Sequence, residues 1–214
     1  MRGDFCIGAD LGQSNGYTAL AIVEKLHSGN PQKLTALHLR HLERYPLGTP
    51  YPEIADAVAA LVQSEHLVSY TTDEMLNRMP LYPELVVDQT GVGPPVTRLL
   101  RERGLTFRSV VVTASDDGGP GRGAYRVPKR DLVSALEVSL QTGMLQVAEG
   151  LRLWGLLREE MLNFRRKVDL RMTHDTFEHW RESESDDLVL AVCLACWGAA
   201  RPRQQLFTFN YMPR

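Results

Sequence analysis

The 214-residue chain is 43% hydrophobic and sets 24 basic against 26 acidic side chains, a net charge of −2. That length and apolar content can bury one real core, so a single domain over 1–214 is expected, and the balanced charge excludes a chain-wide basic surface, leaving any nucleic-acid contact to a local patch. Cys6, Cys193 and Cys196 are an odd number of thiols in apolar surroundings, and there is neither a signal-like N-terminus nor an apolar run able to cross a bilayer, so a reducing cytoplasmic setting without membrane contact is expected.

Phe5 to Glu24 reads as a hairpin with one carboxylate in its first strand. Phe5, Ile7 and Ala9 alternate with Cys6, Gly8 and Asp10, so an apolar face is kept while Asp10 emerges on the other side, before the turn Ser14-Asn15-Gly16. Asp10 is either a turn former through its own side-chain hydrogen bonds or a ligand facing a metal or phosphate. Leu34 to Leu42 follows as a third strand of the same meander, with its register left open by Leu37 and Leu39. Tyr45 to Pro52, rich in proline, is a crossing loop, and Glu53 to Leu67 places Ile54, Val58, Leu61 and Val62 at helical spacing.

Leu85 to Asp88 is a short apolar run ending in a second carboxylate, followed by the turn residues Gln89 to Pro95 and a helix that Pro94 or Pro95 initiates. Asp88 therefore stands at the C-terminal end of a buried strand, where open α/β sheets bind their ligands, unless it merely caps the helix or forms the turn. Phe107 to Thr113 is a further strand. Ser115 to Arg126 is a glycine-rich loop, in which Arg122 and Arg126, followed by Lys129 and Arg130, surround Tyr125 with positive charge suited to a phosphodiester backbone.

Pro128 to Gln141 is helical, Met144 to Val147 is a short edge strand, and Leu151 to Lys167 is a helix buried through Leu153, Leu156, Leu157, Met161 and Phe164. Glu159 and Glu160 are expected to form ion pairs with nearby arginines rather than to join a site. Arg165, Arg166 and Lys167 close that helix, favourably for its dipole and within reach of a phosphate. Asp169 to Glu184 is polar and irregular, and its His174, Asp175 and His179 lack a zinc-site order. Leu188 to Ala200 is apolar almost all round and so buried, which makes the Cys193–Cys196 pair core packing. Ser185-Asp186-Asp187 stands at its head. One carboxylate suffices for an N-cap, and a second is surplus that would reach the strand ends carrying Asp10 and Asp88.

Together, Asp10 in a GxDxG-type first strand, Asp88 in VVDQTGVGPPV, SDDLVLAVCLACW at the last helix and the segment VPKRDLVSALEVSLQTGMLQV resemble the nuclease domain of viral terminase large subunits. Those domains belong to the ribonuclease H-like superfamily, and the likeness spans roughly Phe5 to Ala200. It implies a mixed central sheet, an antiparallel hairpin meander and then parallel strands, flanked by helices. It also implies a metal-dependent DNA endonuclease acting in viral DNA packaging or processing, in the cytoplasm of a bacterial host. Asp10, Asp88 and Asp187 would be catalytic, and with Asp186 they would ligate two Mg²⁺ or Mn²⁺ ions.

In that scheme Asp10 bridges the two ions, while Asp88 shares one and Asp187 the other. Lys129 or an arginine of 122 to 130 faces the phosphate. Double-stranded DNA is the implied partner, with a separate ATPase motor or packaging proteins, because no GxxxxGK[ST] phosphate loop occurs in these residues. Where family members often have His before the paired aspartates, this chain has Glu184-Ser185, and helix-start geometry favours Asp187 over Asp186. A junction-resolving nuclease of the same superfamily and a non-catalytic DNA-docking or assembly module are the alternative readings. An actin-like phosphotransferase would need two such domains.

Overall fold

The computed structural model describes residues 4–12, 16–28, 33–72, 76–114, 118–121, 123–171 and 186–203, with the backbone alone over 165–171. Strands β1 (Asp4–Asp10), β2 (Ala19–His27) and β3 (Leu34–Arg44) form an antiparallel meander. After α1 (Tyr51–Val62) the chain makes a separate two-stranded hairpin, β4 (Ser69–Thr72) with β5 (Arg78–Leu81), which the sequence did not announce. Next come β6 (Glu84–Asp88), α2 (Gly93–Glu102), β7 (Arg108–Thr113), β8 (Gly119–Pro120) and β9 (Tyr125–Pro128). Then α3 (Lys129–Gln141), β10 (Leu145–Val147), α4 (Trp154–Arg171) and α5 (Asp187–Ala199) complete the described elements.

The main sheet has the order β10-β3-β2-β1-β6-β7-β9-β8. β1, β6, β7 and β9 are mutually parallel, so their C-terminal ends, carrying Asp10, Asp88, Thr113 and Pro128, lie along one edge. This is the expected mixed sheet with helices on its faces. The glycine-rich segment is not one loop, however. Its last residues enter β9, because Tyr125 and Val127 alternate inward beside β7, and that pairing outweighs the local glycine content.

The register of β3 was ambiguous for a physical reason. Ile22 pairs with His41 and Val23 with Leu39, so Arg40 is an extra residue at a β-bulge. The bulge resets the alternation, and Leu37, Leu39 and Leu42 all reach the same core. On the opposite face of the sheet, Phe5, Ile7, Ala9, Leu20 and Ile22 pack with Ile54 and Val58 of α1 and Leu100 of α2. The first face, with Cys6, Ala21 and Val110, is covered by α5 and by Leu132, Leu136 and Leu157 of its flanking helices.

α5 approaches the sheet through small residues. A β-carbon added at Gly8 would stand 2.0 Å from the carbonyl oxygen of Ala191, and one added at Gly198 would stand 2.6 Å from Val86 Cγ2 and 2.9 Å from Cys6 Sγ. Since Gly198 lies over Cys6 and Ala191 over Gly8, the helix runs antiparallel to β1 and brings its N-terminus to the Asp10 end. All three cysteines are buried and reduced, and burial pushes Cys6 and Cys193 up to about 12, which fits the core-packing role. No described helix is long and apolar enough to cross a membrane.

Candidate active site

Asp10 and Asp88 are register partners at the ends of the parallel strands β1 and β6. Both are buried, at 9% and 7% exposure, and both project toward α5, because Asp10 shares the face of Cys6 and Gly8. The row continues through Ala19 to Arg44 on one side and through Val110 to Tyr125 on the other. Asp88 also makes the turn contact open from the sequence: the Thr90 amide donates to its Oδ1 at 2.7 Å. Thr90 Oγ1 in turn accepts the Val112 amide at 2.7 Å, which ties this turn to β7. Beyond Asp10, the Gly12 amide donates to Thr18 Oγ1 at 3.1 Å and the Tyr51 hydroxyl donates to the Gly12 carbonyl at 2.8 Å.

Asp187 is the first residue of α5, and Asp186 occupies its N-cap position without making a side-chain cap hydrogen bond. Asp187, Ala191, Ala195 and Gly198 are spaced four, four and three apart, and so share the helix stripe that meets β1 and β6. From the Gly8–Ala191 contact, four helical residues rise about 6 Å and two strand residues about 6.6 Å, which brings Asp187 level with Asp10. Asp186 lies about 100° round the helix and meets Lys129 instead, with Nζ and Oδ2 3.6 Å apart. Of the paired aspartates, Asp187, the one helix-start geometry favours, is the one that lies on the helix face of the small residues.

Lys129 opens α3 directly after β9, on the same edge as the acids. Arg126 and Arg130 are exposed beside it, Arg130 3.6 Å from Asp131. Arg122, Ser115 to Asp117, Ser14, Asn15, Ser185 and the tract from Met172 to Glu184 with its two histidines lie outside the described residues, as do the side chains of Arg165, Arg166 and Lys167.

Glu160 departs from expectation. It is buried, at 5% exposure, and reaches across to β3, with Arg44 Nη1 3.2 Å from its Oε1. Its Oε2 accepts the amides of Leu188 at 3.1 Å and Val189 at 3.4 Å. A mid-helix glutamate without a local arginine at i+4 was the one available signal, and it does not name a partner so far away in sequence.

The electrostatics bind these groups into one cluster. Burial first, then the fields of Asp88, Asp187 and Asp186, hold the Asp10 carboxyl well above the usual carboxylate range, with Lys129 pulling the other way. Burial brings Lys129 down to about 8 against the opposing pull of Asp186 and Asp10. Burial also lifts Glu160 to about 7, opposed by Arg44 and the two amides, with Asp187 adding to the rise.

Among the described residues, no three His, Cys, Asp or Glu side chains already converge on one point. The fit to a hard divalent cation is therefore one of donor type and charge: carboxylate oxygens gathered at a buried edge, where Asp88, Asp187 and Asp186 raise the pKa of Asp10 and a cation would relieve it.

No protein-family model matches the chain, and no curated protein matches it in sequence. Solved structures do match in fold. The large terminase nuclease from thermophilic phage G20c with bound magnesium aligns at TM-score 0.54 and 19% identity, over 91% of this chain and 80% of that one. The human cytomegalovirus terminase nuclease domain, soaked with manganese, aligns at TM-score 0.51 and 15% identity, over 92% and 84%. The fold is thus ribonuclease H-like, as in terminase nuclease domains.

Proposed function

We propose that this chain is a metal-dependent nuclease of the terminase type, which cuts double-stranded DNA with little sequence preference of its own. What supports the reading is the Asp10–Asp88 pair across two parallel strands, with Asp187 carried level with it by α5, in a fold shared with viral terminase nucleases. Asp10, Asp88 and Asp187 would hold Mg²⁺ or Mn²⁺, with Asp186 as an outer ligand that shares its charge with Lys129. Held by these residues, two such ions would supply charge stabilisation for an in-line phosphoryl displacement.

The chain's own residues do the rest. The three aspartates, placed on a strand pair and a buried helix, fix where the scissile phosphate must sit. Lys129 presents an ammonium toward the same edge, and Arg126 and Arg130 extend the positive surface along β9 and α3 for the flanking backbone, as Arg122, Arg165, Arg166 and Lys167 would in the neighbouring segments. The whole chain is read as one nuclease domain. The ATPase motor of a packaging machine, for which these residues hold no phosphate loop, would be supplied from elsewhere, and the setting would be the bacterial cytoplasm.

The test is cleavage of supercoiled plasmid with Mn²⁺ or Mg²⁺. Wild-type protein should nick and linearise it, and Asp10→Asn and Asp187→Asn should each lose on the order of a thousand-fold in rate while remaining folded. Cleavage by either variant at the wild-type rate would overturn the assignment. A marked preference for four-way junctions over linear duplex would redirect it to junction resolution.

A further inference from the structure

The N-terminus of α5 is capped from another helix. The amides of an α-helix's first turn need acceptors, and an N-cap side chain ordinarily serves the second and third of them. In α5 these are Leu188 and Val189, and the N-cap residue Asp186 makes no cap hydrogen bond. Glu160 of α4 takes both amides with one carboxylate oxygen, at 3.1 and 3.4 Å, while Arg44 holds the other oxygen at 3.2 Å. Arg44 is itself anchored, its guanidinium lying 3.5 Å over the ring of Tyr17.

The chain of contacts closes on the acid row. Arg44 pairs with Ala19, and Ala19 with Asp10, so the side chain that orients Glu160 stands in the strand row that presents Asp10. α5 is thereby pinned at two places: along its length by the Gly8–Ala191 contact, and at its head by the Arg44–Glu160 pair. The first sets how close the helix comes to the sheet. The second sets how its first turn is rotated and extended, and thus where Asp187 points.

We infer that Glu160 is a positioning residue for the metal site: it caps α5 in place of Asp186, so that both head-of-helix aspartates serve the site rather than the helix, and it fixes the direction of Asp187. This rests on the nuclease reading above for the identity of the site, but the capping geometry stands on its own contacts. Glu160 thus acts on Asp187 through the amides of Leu188 and Val189. A residue that orients ligands through the backbone is expected to act on metal affinity, as supporting residues around metal sites do.

The experiment titrates Mn²⁺ calorimetrically into wild type, Glu160→Ala, Glu160→Gln and Asp10→Asn, with a thermal melt of each protein in EDTA. Wild type should bind Mn²⁺ and Asp10→Asn should lose that binding. Glu160→Ala should weaken Mn²⁺ about ten-fold, and Glu160→Gln, which keeps an acceptor but loses the charge facing Arg44, about three-fold. A merely structural Glu160 would lower the melting temperature and leave Mn²⁺ affinity at the wild-type value in both variants, and that result overturns the inference. If Glu160→Ala does not fold, Glu160→Gln decides by the same criterion. Wild type that binds no Mn²⁺, or an Asp10→Asn variant that binds it equally well, would instead overturn the metal-site reading itself.

Discussion

Gly8 and Ala191 bring β1 and α5 into backbone contact, since a methyl group at Gly8 would stand 2.0 Å from the Ala191 carbonyl oxygen and 2.6 Å from the Ala195 amide nitrogen. No rotamer change relieves a clash with main chain, so Gly8→Ala must push the helix off the strand. The expected cost is about 3 kcal/mol, read as a lowered urea midpoint. Because the same contact sets the height of Asp187 over Asp10, any folded Gly8→Ala protein should also bind Mn²⁺ more weakly. A wild-type midpoint would mean that α5 does not lie on β1 as described.

That contact also explains what could and could not be read from the sequence. Cys6, Gly8 and Asp10 alternate with Phe5, Ile7 and Ala9, and LVVD ends in its acid, so strand identity and the two strand-end carboxylates were legible from period and placement. The buried helix behind Asp187 was legible from its apolar content alone. Its rotation was not, because a helix apolar all round has no polar face to orient it; only the small residues Ala191, Ala195 and Gly198 encode which side meets β1. The bulge at Arg40 and the capping by Glu160 depend on pairing between distant segments, and local pattern carries neither. β9 was hidden for the related reason that its neighbours in sequence are turn formers while its neighbour in space is β7.

Thr90 couples Asp88 to β7: its amide donates to Asp88 Oδ1 and its hydroxyl oxygen accepts the Val112 amide, each at 2.7 Å. Thr90→Val keeps the shape and the first bond but leaves the Val112 amide without its acceptor. It should destabilise the protein by about 1 kcal/mol, and Thr90→Ser should restore most of that. Denaturation midpoints in urea check both. Equal midpoints for the Val and wild-type proteins would show that the turn is not held through this hydroxyl.

Lys129, brought down to about 8 by burial against Asp186 and Asp10, is a cation below that pH and increasingly neutral above it. If its ammonium faces a phosphate, metal-free binding of duplex DNA at fixed ionic strength should weaken as pH rises through about 8. Lys129→Arg, which keeps its charge, should flatten that fall, and Lys129→Met should bind more weakly at the lower pH with no further fall. Fluorescence anisotropy of a labelled duplex measures all three. A flat wild-type profile would remove Lys129 from the DNA surface.

Asp10 carries the strongest pH signature. Its carboxyl is held well above the usual value by burial and by Asp88, Asp187 and Asp186, so the folded protein keeps this proton to a higher pH than the unfolded chain does. Between the usual carboxylate pKa and the raised one, the unfolded state binds fewer protons, and linkage then makes the stability of the metal-free protein fall as pH rises. Asp10→Asn removes the titration, and with it one of the crowded charges. In EDTA the variant should therefore melt above wild type near neutral pH, and its stability should depend less on pH. Mn²⁺ reverses the order: a cation bound by the folded state alone stabilises wild type by mass action, and increasingly so as pH rises, because the ligands must give up their protons to bind it. The variant, lacking the carboxylate proposed as the central ligand, should gain little. Melting curves from about pH 5 to 8, with EDTA or with Mn²⁺, separate the two contributions. Parallel profiles for the two proteins in both conditions would show that Asp10 is neither crowded by its neighbours nor central to the metal site.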